Sequence, residues 1–171
     1  FYLANPTAEA MDVVDIAHAL SNICRYTGHV RSFYSVAEHS VLLAQRVWDV
    51  PMVTAWHSLD SPLRKRRRTM LFHDAAEAYI GDISRPFKSI LPSAKAIEKC
   101  IQEVMAQKFD LIWPITDVLK EMDSRIMLDE KAILMPHVGG WNILGAKPLG
   151  NVSIQCWEPK RAEVEFLRMY T

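Results

Sequence analysis

The chain has 171 residues, half of them are apolar, 23% are charged, and its 20 basic side chains balance 20 acidic ones. This is the composition of a globular protein, and at about 150 residues per domain the length predicts one domain over 1–171. Zero net charge argues against a protein that coats nucleic acid, because such domains are usually strongly basic. It also leaves little charge repulsion against assembly into a homo-oligomer.

Cysteine usage and hydropathy indicate the compartment. The three cysteines, Cys24, Cys100 and Cys156, are widely separated and form neither a disulfide framework nor a Cys-x-x-Cys metal motif. A reducing cytoplasm, bacterial or that of a phage-infected host, is therefore expected. No apolar run approaches the ~18 residues of a membrane span, and no signal peptide is recognised, so no membrane partner is expected.

The apolar residues mostly recur with helical spacing, which predicts an all-α protein. A first helix is expected over about 12–24. Ser35 and Glu38 have the spacing of a capping box, in which the serine caps a helix and the glutamate reaches back to it. That second helix should run to about residue 48, with Pro51 beyond its end. A third should begin at Pro62 and run to about Tyr79.

The second half of the chain continues the helical pattern. A fourth helix is expected from Ser93 and a fifth over 116–134. Residues 136–150 should be irregular and 152–157 a short extended piece, followed by a last helix that starts at Pro159. These elements predict a compact single-domain helical bundle.

A run of five cations occupies residues 64–68. A nucleic-acid or subunit-contact patch is one interpretation. Solvated helix surface is the better one, because five consecutive residues wind round a helix and form no single stripe.

Three separated places carry side chains suited to a metal: His39, the pair His73-Asp74, and Asp123. Asp123 lies four residues after Leu119 on the apolar side of its predicted helix, where an ionised carboxylate is costly unless it is paired or metal-bound. A lone inward histidine or aspartate is more often a satisfied core residue than a ligand. Together, the mixed nitrogen and oxygen donors suit one divalent transition ion, namely Mn, Fe, Co, Ni or Zn.

These residues resemble the H…HD…D signature of the HD-domain metal-dependent phosphohydrolases. The surrounding blocks at 35–40, 72–77, 81–83 and 96–99 are similar to those of small bacterial 5'-deoxynucleotidases and phage dATP triphosphohydrolases. The similarity spans about residues 15–130, and nothing beyond Pro136 is recognised. The resemblance implies an HD-domain helical bundle.

The resemblance also implies residue roles. His39, His73, Asp74 and Asp123 would hold the metal ion, which activates water and polarises phosphate oxygens. Glu77, one helical turn after His73, would be a catalytic residue that orients the attacking water or handles protons, alongside the ligands His73 and Asp74.

Four further residues match family positions that bind substrate. Arg25 and Lys88 would meet the phosphates. Asp82 would accept a hydrogen bond from the sugar 3'-hydroxyl, or it is simply a turn residue after Gly81. Tyr26 stands where relatives often carry tryptophan; it would stack on the base or exclude a 2'-hydroxyl, or it is a surface aromatic.

The expected activity is hydrolysis of deoxynucleotides, and dATP or another dNTP is the leading substrate of a triphosphohydrolase that releases tripolyphosphate. A triphosphate could bring further Mg²⁺ or Mn²⁺ ions. The alternatives are a 5'-deoxynucleotidase that acts on dNMPs and a non-catalytic nucleotide-binding module. Hydrolysis of an alarmone or a cyclic dinucleotide fits the ligands but not the surrounding blocks.

Overall fold

Eight α-helices form most of the part of the chain that this computed structural model describes, which is residues 1–48, 63–137, 139 and 145–171. Short 3-10 turns cover Ala8–Ala10, Arg25–Gly28 and Arg46–Trp48. The described residues contain no β-strand, apart from one isolated bridge between Cys24 and Ser35, so the all-α prediction is confirmed. The helices are α1 (Val13–Asn22), α2 (Val36–Gln45), α3 (Leu63–Leu71), α4 (Glu77–Ile80), α5 (Arg85–Ile90), α6 (Pro92–Lys108), α7 (Asp117–Leu134) and α8 (Pro159–Tyr170).

Helix α2 lies at the centre of the bundle. It packs against α1, α3, α7 and α8, and every residue from Val36 to Ala44 is buried. A helix surrounded by other helices buries its whole circumference, so Glu38 and His39 lie within the core although both are polar. The remaining core is largely apolar and includes Leu20, Met70 and Phe166.

The capping prediction at the start of α2 is half confirmed. The Ser35 hydroxyl accepts the Glu38 N–H at 3.0 Å, as a capping serine does. The glutamate does not reach back along the helix. Its carboxylate accepts N–H groups of Gln155, Cys156 and Trp157 at 2.8, 3.1 and 2.6 Å, because the segment before α8 crosses the start of α2. That segment is irregular rather than extended, with a φ of 54° at Cys156.

The third predicted helix is not continuous. Helix α3 ends at Leu71, residues 72–76 form tight turns, and α4 then ends at Ile80, followed by Gly81 at its C-cap with a φ of 78°. The Glu77 N–H bonds to the Asp74 carbonyl at 3.0 Å, which is a spacing of three residues rather than the four of an α-helix. The predicted start at Pro62 lies outside the described residues.

The later helices follow the prediction more closely. Helix α6 begins at Pro92, α7 covers 117–134 with Thr116 at its N-cap, and α8 begins at Pro159. The short helix α5 is an addition that the apolar pattern did not indicate. The second helix is shorter than predicted, since α2 ends at Gln45 and continues only as a 3-10 turn; Pro51 lies outside the described residues.

The cationic run at 64–68 makes contacts within the molecule. Lys65 bonds to Asp110 at 2.5 Å, and Arg68 donates to the Phe109 carbonyl at 3.0 Å. These contacts tie α3 to the end of α6. None of the helices in the described part of the chain has the length and apolar character that a membrane crossing requires.

Candidate metal centre

The four predicted metal ligands meet at one point of the fold. His39 comes from α2, His73 and Asp74 from the turns after α3, and Asp123 from α7, and their ligand atoms all lie within 4.8 Å of one another. The two histidine Nε2 atoms are 3.2 Å apart. Asp74 Oδ2 lies 3.2 Å from His73 Nε2, and Asp123 Oδ1 lies 3.4 Å from His39 Nε2.

The local sequence explains why Asp123 faces this point. Its neighbours Leu119, Met122 and Ile126 are buried on the inner face of α7, and residues three or four apart share a helix face. The aspartate therefore points inward with them. Asp123 thus lies on the inner face of α7, as its spacing from Leu119 predicts.

Hydrogen bonds to the far sides of the imidazole rings determine their tautomers. His73 Nδ1 lies 2.8 Å from the Met70 carbonyl, which can only accept, so His73 Nδ1 carries the hydrogen. His39 Nδ1 lies 2.5 Å from the Glu130 carboxylate. In the neutral rings both Nε2 lone pairs consequently face each other and the two aspartates.

Four electron-pair donors in close contact repel one another unless a proton or a metal cation lies between them. In the protein alone, burial lowers the pKa of His73, but Asp74 and Asp123 outweigh it and hold that pKa well above its usual range. Burial likewise raises the pKa of Asp123, and its bonds to the two histidines more than reverse this. Two imidazole nitrogens and two carboxylate oxygens fit a first-row divalent metal ion, whose identity the donors leave open.

Two of the four candidate ligands form part of the wall of a cavity of about 830 Å³. Asp74 and Asp123 line this cleft, together with the predicted catalytic Glu77 and all four predicted substrate-binding residues. Other lining residues are His29, Ile83, Ser84, Arg85, Met127 and Met135. The structure thus brings the predicted ligands and the predicted substrate residues to one place.

Glu77 is buried beside the candidate metal ligands. Its Oε1 lies 3.8 Å from Lys88 Nζ, and its buried Oε2 has no hydrogen-bond partner among the described residues. Burial, with the nearby charges of Asp74 and Asp82, raises its pKa to about 9. The expectation that Glu77 follows His73 by one helical turn is wrong, because 72–76 form tight turns; the side chain still faces the cleft.

Arg25 and Tyr26 enter the cleft from the turn after α1. Arg25 is buried and donates to Asp74 Oδ2 at 3.0 Å and to Glu130 at 3.4 Å. Tyr26 has a φ of 58°, and Thr27 one of 53°. Such left-handed backbone is uncommon outside glycine and concentrates at functional sites. Tyr26 donates its hydroxyl to Glu130, so the interpretation as a surface aromatic is wrong.

Asp82 and Lys88 close the opposite side. Asp82 Oδ2 accepts the Thr27 N–H at 3.2 Å, so it joins two loops as well as lining the cleft. Lys88 Nζ lies 2.6 Å from Glu98 Oε1. Both residues line the cavity, and their roles toward a substrate stay predictions.

Two residues of the site were not predicted from the sequence. Arg85 on α5 places Nη2 2.5 Å from Asp123 Oδ2; it lies outside any helical pattern that includes the ligands, so spacing could not reveal it. Glu130 is fully buried and contacts His39. A signal for Glu130 existed, since it lies four residues from Ile126 and from Leu134 on the inner face of α7.

Comparison with known proteins finds relatives without a stated activity. The chain is 35% identical over 149 residues to the uncharacterized protein YfdR of Escherichia coli (strain K12), a match that covers 86% of this chain and 75% of YfdR. It is 32% identical over 92 residues to an uncharacterized protein of Rhodobacter capsulatus, covering 52% of this chain and 42% of that protein. No family model matches the chain.

Proposed function

The chain belongs to the same family as YfdR of Escherichia coli, and we propose that it is a metal-dependent phosphohydrolase of the HD-domain type that acts on deoxynucleotides. One observation carries this proposal. Two histidines and two aspartates converge within 4.8 Å at a cleft of about 830 Å³. Three cations, Arg25, Arg85 and Lys88, line the same cleft.

The order of the motif blocks supports the HD-domain assignment. The blocks at 35–40, 72–77, 81–83 and 96–99 resemble those of small HD phosphohydrolases. The first three contribute His39, the pair His73-Asp74 with Glu77, and Asp82 to one centre and its cleft. A chance HD dipeptide would have no reason to lie beside these other residues.

The contacts suggest a separate role for each residue of the site. When bound, a divalent ion supplies Lewis acidity to a phosphate oxygen and to the attacking water. Arg25 and Lys88 bind the phosphates, the first with a planar fork and the second with a point charge. Glu77, whose Oε2 has no partner among the described residues, would orient the water and, in its carboxylate form, accept the proton that the water loses. Asp82 accepts a hydrogen bond from the sugar.

A dNTP, with dATP first, is the proposed substrate, and its hydrolysis gives a deoxynucleoside and tripolyphosphate. The cleft volume of about 830 Å³ lies toward the upper end of small-molecule sites, which suits a base, a sugar and a phosphate chain. Further Mg²⁺ or Mn²⁺ ions would accompany the triphosphate. Cytoplasmic location is part of the proposal, since all three cysteines are free thiols. So is a homo-oligomer, which light scattering tests.

One observation favours a 5'-deoxynucleotidase as the second candidate. Lys88 is already paired with Glu98 and Arg25 with Asp74 and Glu130, so less cationic charge is available than a triphosphate calls for. A monophosphate needs fewer such contacts. A non-catalytic nucleotide-binding module is the third candidate, but the Glu77 carboxyl beside the ligands, whose Oε2 has no hydrogen-bond partner among the described residues, supports catalysis.

The test is a product assay on the full chain with Co²⁺ or Mn²⁺ and each dNTP and dNMP in turn. Tripolyphosphate from dATP is the expected product; orthophosphate from dAMP with dATP untouched would establish the nucleotidase instead. Asp74→Ala should abolish either activity. His18→Ala is the matched control, because His18 lies on the surface of α1 away from the cluster. Turnover that survives Asp74→Ala would refute the site.

A further inference from the structure

Glu130 is a fully buried carboxylate on α7 that accepts several hydrogen bonds. Burying a carboxylate is costly unless its charge is balanced and its oxygens are bonded. Arg25 supplies the opposite charge at 3.4 Å. The donors are Arg25, Tyr26, Tyr34 and His39.

The two oxygens of Glu130 face different parts of the site. Oε1 accepts from Tyr34 at 2.8 Å and from His39 Nδ1 at 2.5 Å. Oε2 accepts from Arg25 at 3.4 Å and from the Tyr26 hydroxyl. One oxygen therefore contacts a metal ligand, and the other contacts two residues that line the cleft.

We propose that Glu130 is a positioning residue that fixes the His39 ring with Nε2 toward the metal and holds the Arg25 and Tyr26 side chains in place. The inference rests on the metal site of the proposed function. An imidazole can carry its hydrogen on either nitrogen, and only the Nδ1–H form presents a lone pair at Nε2. Ligating histidines are commonly fixed in this way, and loss of the partner typically lowers metal affinity about 10–100-fold.

The same contacts form a chain of hydrogen bonds that connects two candidate ligands. His39 bonds to Glu130, Glu130 to Arg25, and Arg25 to Asp74, whose Oδ2 lies 3.0 Å from the guanidinium. Asp74 and His39 are both candidate ligands. If a substrate phosphate displaced the Arg25 side chain, the change would affect Asp74 directly and His39 through Glu130.

The first experiment compares Glu130→Gln with Glu38→Gln in the full chain. Both glutamates are fully buried and bonded, but the Glu38 carboxylate accepts backbone N–H groups of 155–157 and, among the described residues, makes no hydrogen bond to the side chain of a candidate ligand. Metal-free protein is titrated with Co²⁺ alone, by calorimetry and by the visible Co²⁺ spectrum. We expect Glu130→Gln to weaken Co²⁺ binding about 10–100-fold and to change the spectrum, while Glu38→Gln keeps the wild-type values.

The reason for the difference is chemical. The amide in Glu130→Gln turns an N–H₂ group toward side chains that are themselves donors, so it cannot serve them all. Equal Co²⁺ affinities and spectra for Glu130→Gln and the wild type would overturn the inference. If the wild type bound Co²⁺ but hydrolysed no nucleotide, the proposed function would be refuted. The Co²⁺ affinities of Glu130→Gln and the wild type would still test the positioning role of Glu130.

A measurement on the wild type covers the case in which Glu130→Gln does not fold. Nitrogen-15 spectra of the Zn²⁺-loaded protein distinguish the two ring nitrogens of each histidine. We expect His39 to show a hydrogen-bonded Nδ1–H and a metal-bound Nε2. Metal bound through His39 Nδ1, or a mixture of tautomers, would overturn the proposal, as would the failure of the wild type to bind either metal.

Discussion

The Nε2 atoms of His39 and His73 lie 3.2 Å apart. The Nδ1–H group of each ring donates a hydrogen bond, from His39 to Glu130 and from His73 to the Met70 carbonyl. Because the acceptors are a carboxylate and a backbone carbonyl, neither ring can turn its lone pair away without losing a buried hydrogen bond. Leaving a buried polar group unsatisfied costs about 1–3 kcal/mol. The pair is thereby held in the arrangement that a cation stabilises, which leads to the first prediction.

Metal binding should stabilise the fold. At a Co²⁺ concentration 100 times its Kd, mass action contributes about 2.7 kcal/mol to the free energy of unfolding, which corresponds to about 5–10 °C in Tm for a chain of this size. Asp74→Asn should abolish most of this shift. Asp82→Asn, which also changes a cleft carboxylate but no candidate ligand, should retain it. Calorimetry of each variant with and without Co²⁺ measures the shift, and equal losses in both variants would contradict the assigned ligands.

Glu77→Gln should remove catalysis and leave the metal in place. A positioned general acid or base typically contributes about 10²–10⁴-fold to rate, so kcat should fall by that factor while Co²⁺ affinity is unchanged. Glu98→Gln is the matched control, because Glu98 also contacts Lys88, at 2.6 Å, but does not line the cleft. Steady-state kinetics with the substrate identified in the product assay provide the comparison. A small kcat effect at Glu77 would exclude it as a catalytic residue.

The metal-free protein should lose stability as the pH rises, through Glu77. Burial, with Asp74 and Asp82, raises the pKa of this carboxyl from 4.5 to about 9, so between those values the folded state holds a proton that the unfolded state has released. The free energy of unfolding therefore falls with rising pH, by up to about 1.4 kcal/mol per pH unit for one group. Urea unfolding in a chelator, from about pH 5 to 9, should show a slope that Glu77→Gln reduces. Identical slopes would contradict the prediction.

Periodicity predicted the part of the site that lies on regular helices. His39 and Asp123 each share a face with apolar neighbours, and both face inward as expected. The turns at 72–76 were not predictable in this way, because Leu71 to Ala76 include good helix formers, and only tertiary packing explains why the helix breaks there. The break matters, since it carries His73 and Asp74.

The hydrogen-bond partners of Glu130 could not be predicted from the sequence, although its position on the inner face of α7 could. Its place on the inner face of α7 could be read from the spacing to Ile126 and Leu134. Its partners could not, because they come from the turn after α1, from the segment before α2 and from α2 itself. An inward glutamate signals that some cation or donor must face it. Which one does so depends on how distant segments pack together.

Arg85 offers a test of how the cleft is balanced electrostatically. Its Nη2 lies 2.5 Å from Asp123 Oδ2, yet 62% of its side chain is exposed, and exposed ion pairs contribute only about 0.2–1 kcal/mol. Arg85→Ala should therefore change the free energy of unfolding by less than about 1 kcal/mol. Arg85→Ala should also strengthen Co²⁺ binding, because Asp123 loses a competing cation. A free energy of up to about 1 kcal/mol corresponds to a decrease in the Kd of up to about fivefold.

Arg168→Ala is the control for that variant. Arg168 is also exposed, 71% by side chain, and pairs with Glu165 on α8 at 2.9 Å, so both variants delete one exposed ion pair and one positive charge. Only the pair at Asp123 involves a candidate ligand. Titration of both metal-free variants with Co²⁺ should show tighter binding for Arg85→Ala alone. Equal affinities would mean that the Arg85 contact does not compete with the metal, whereas weaker binding would mean that Arg85 holds Asp123 in position for it.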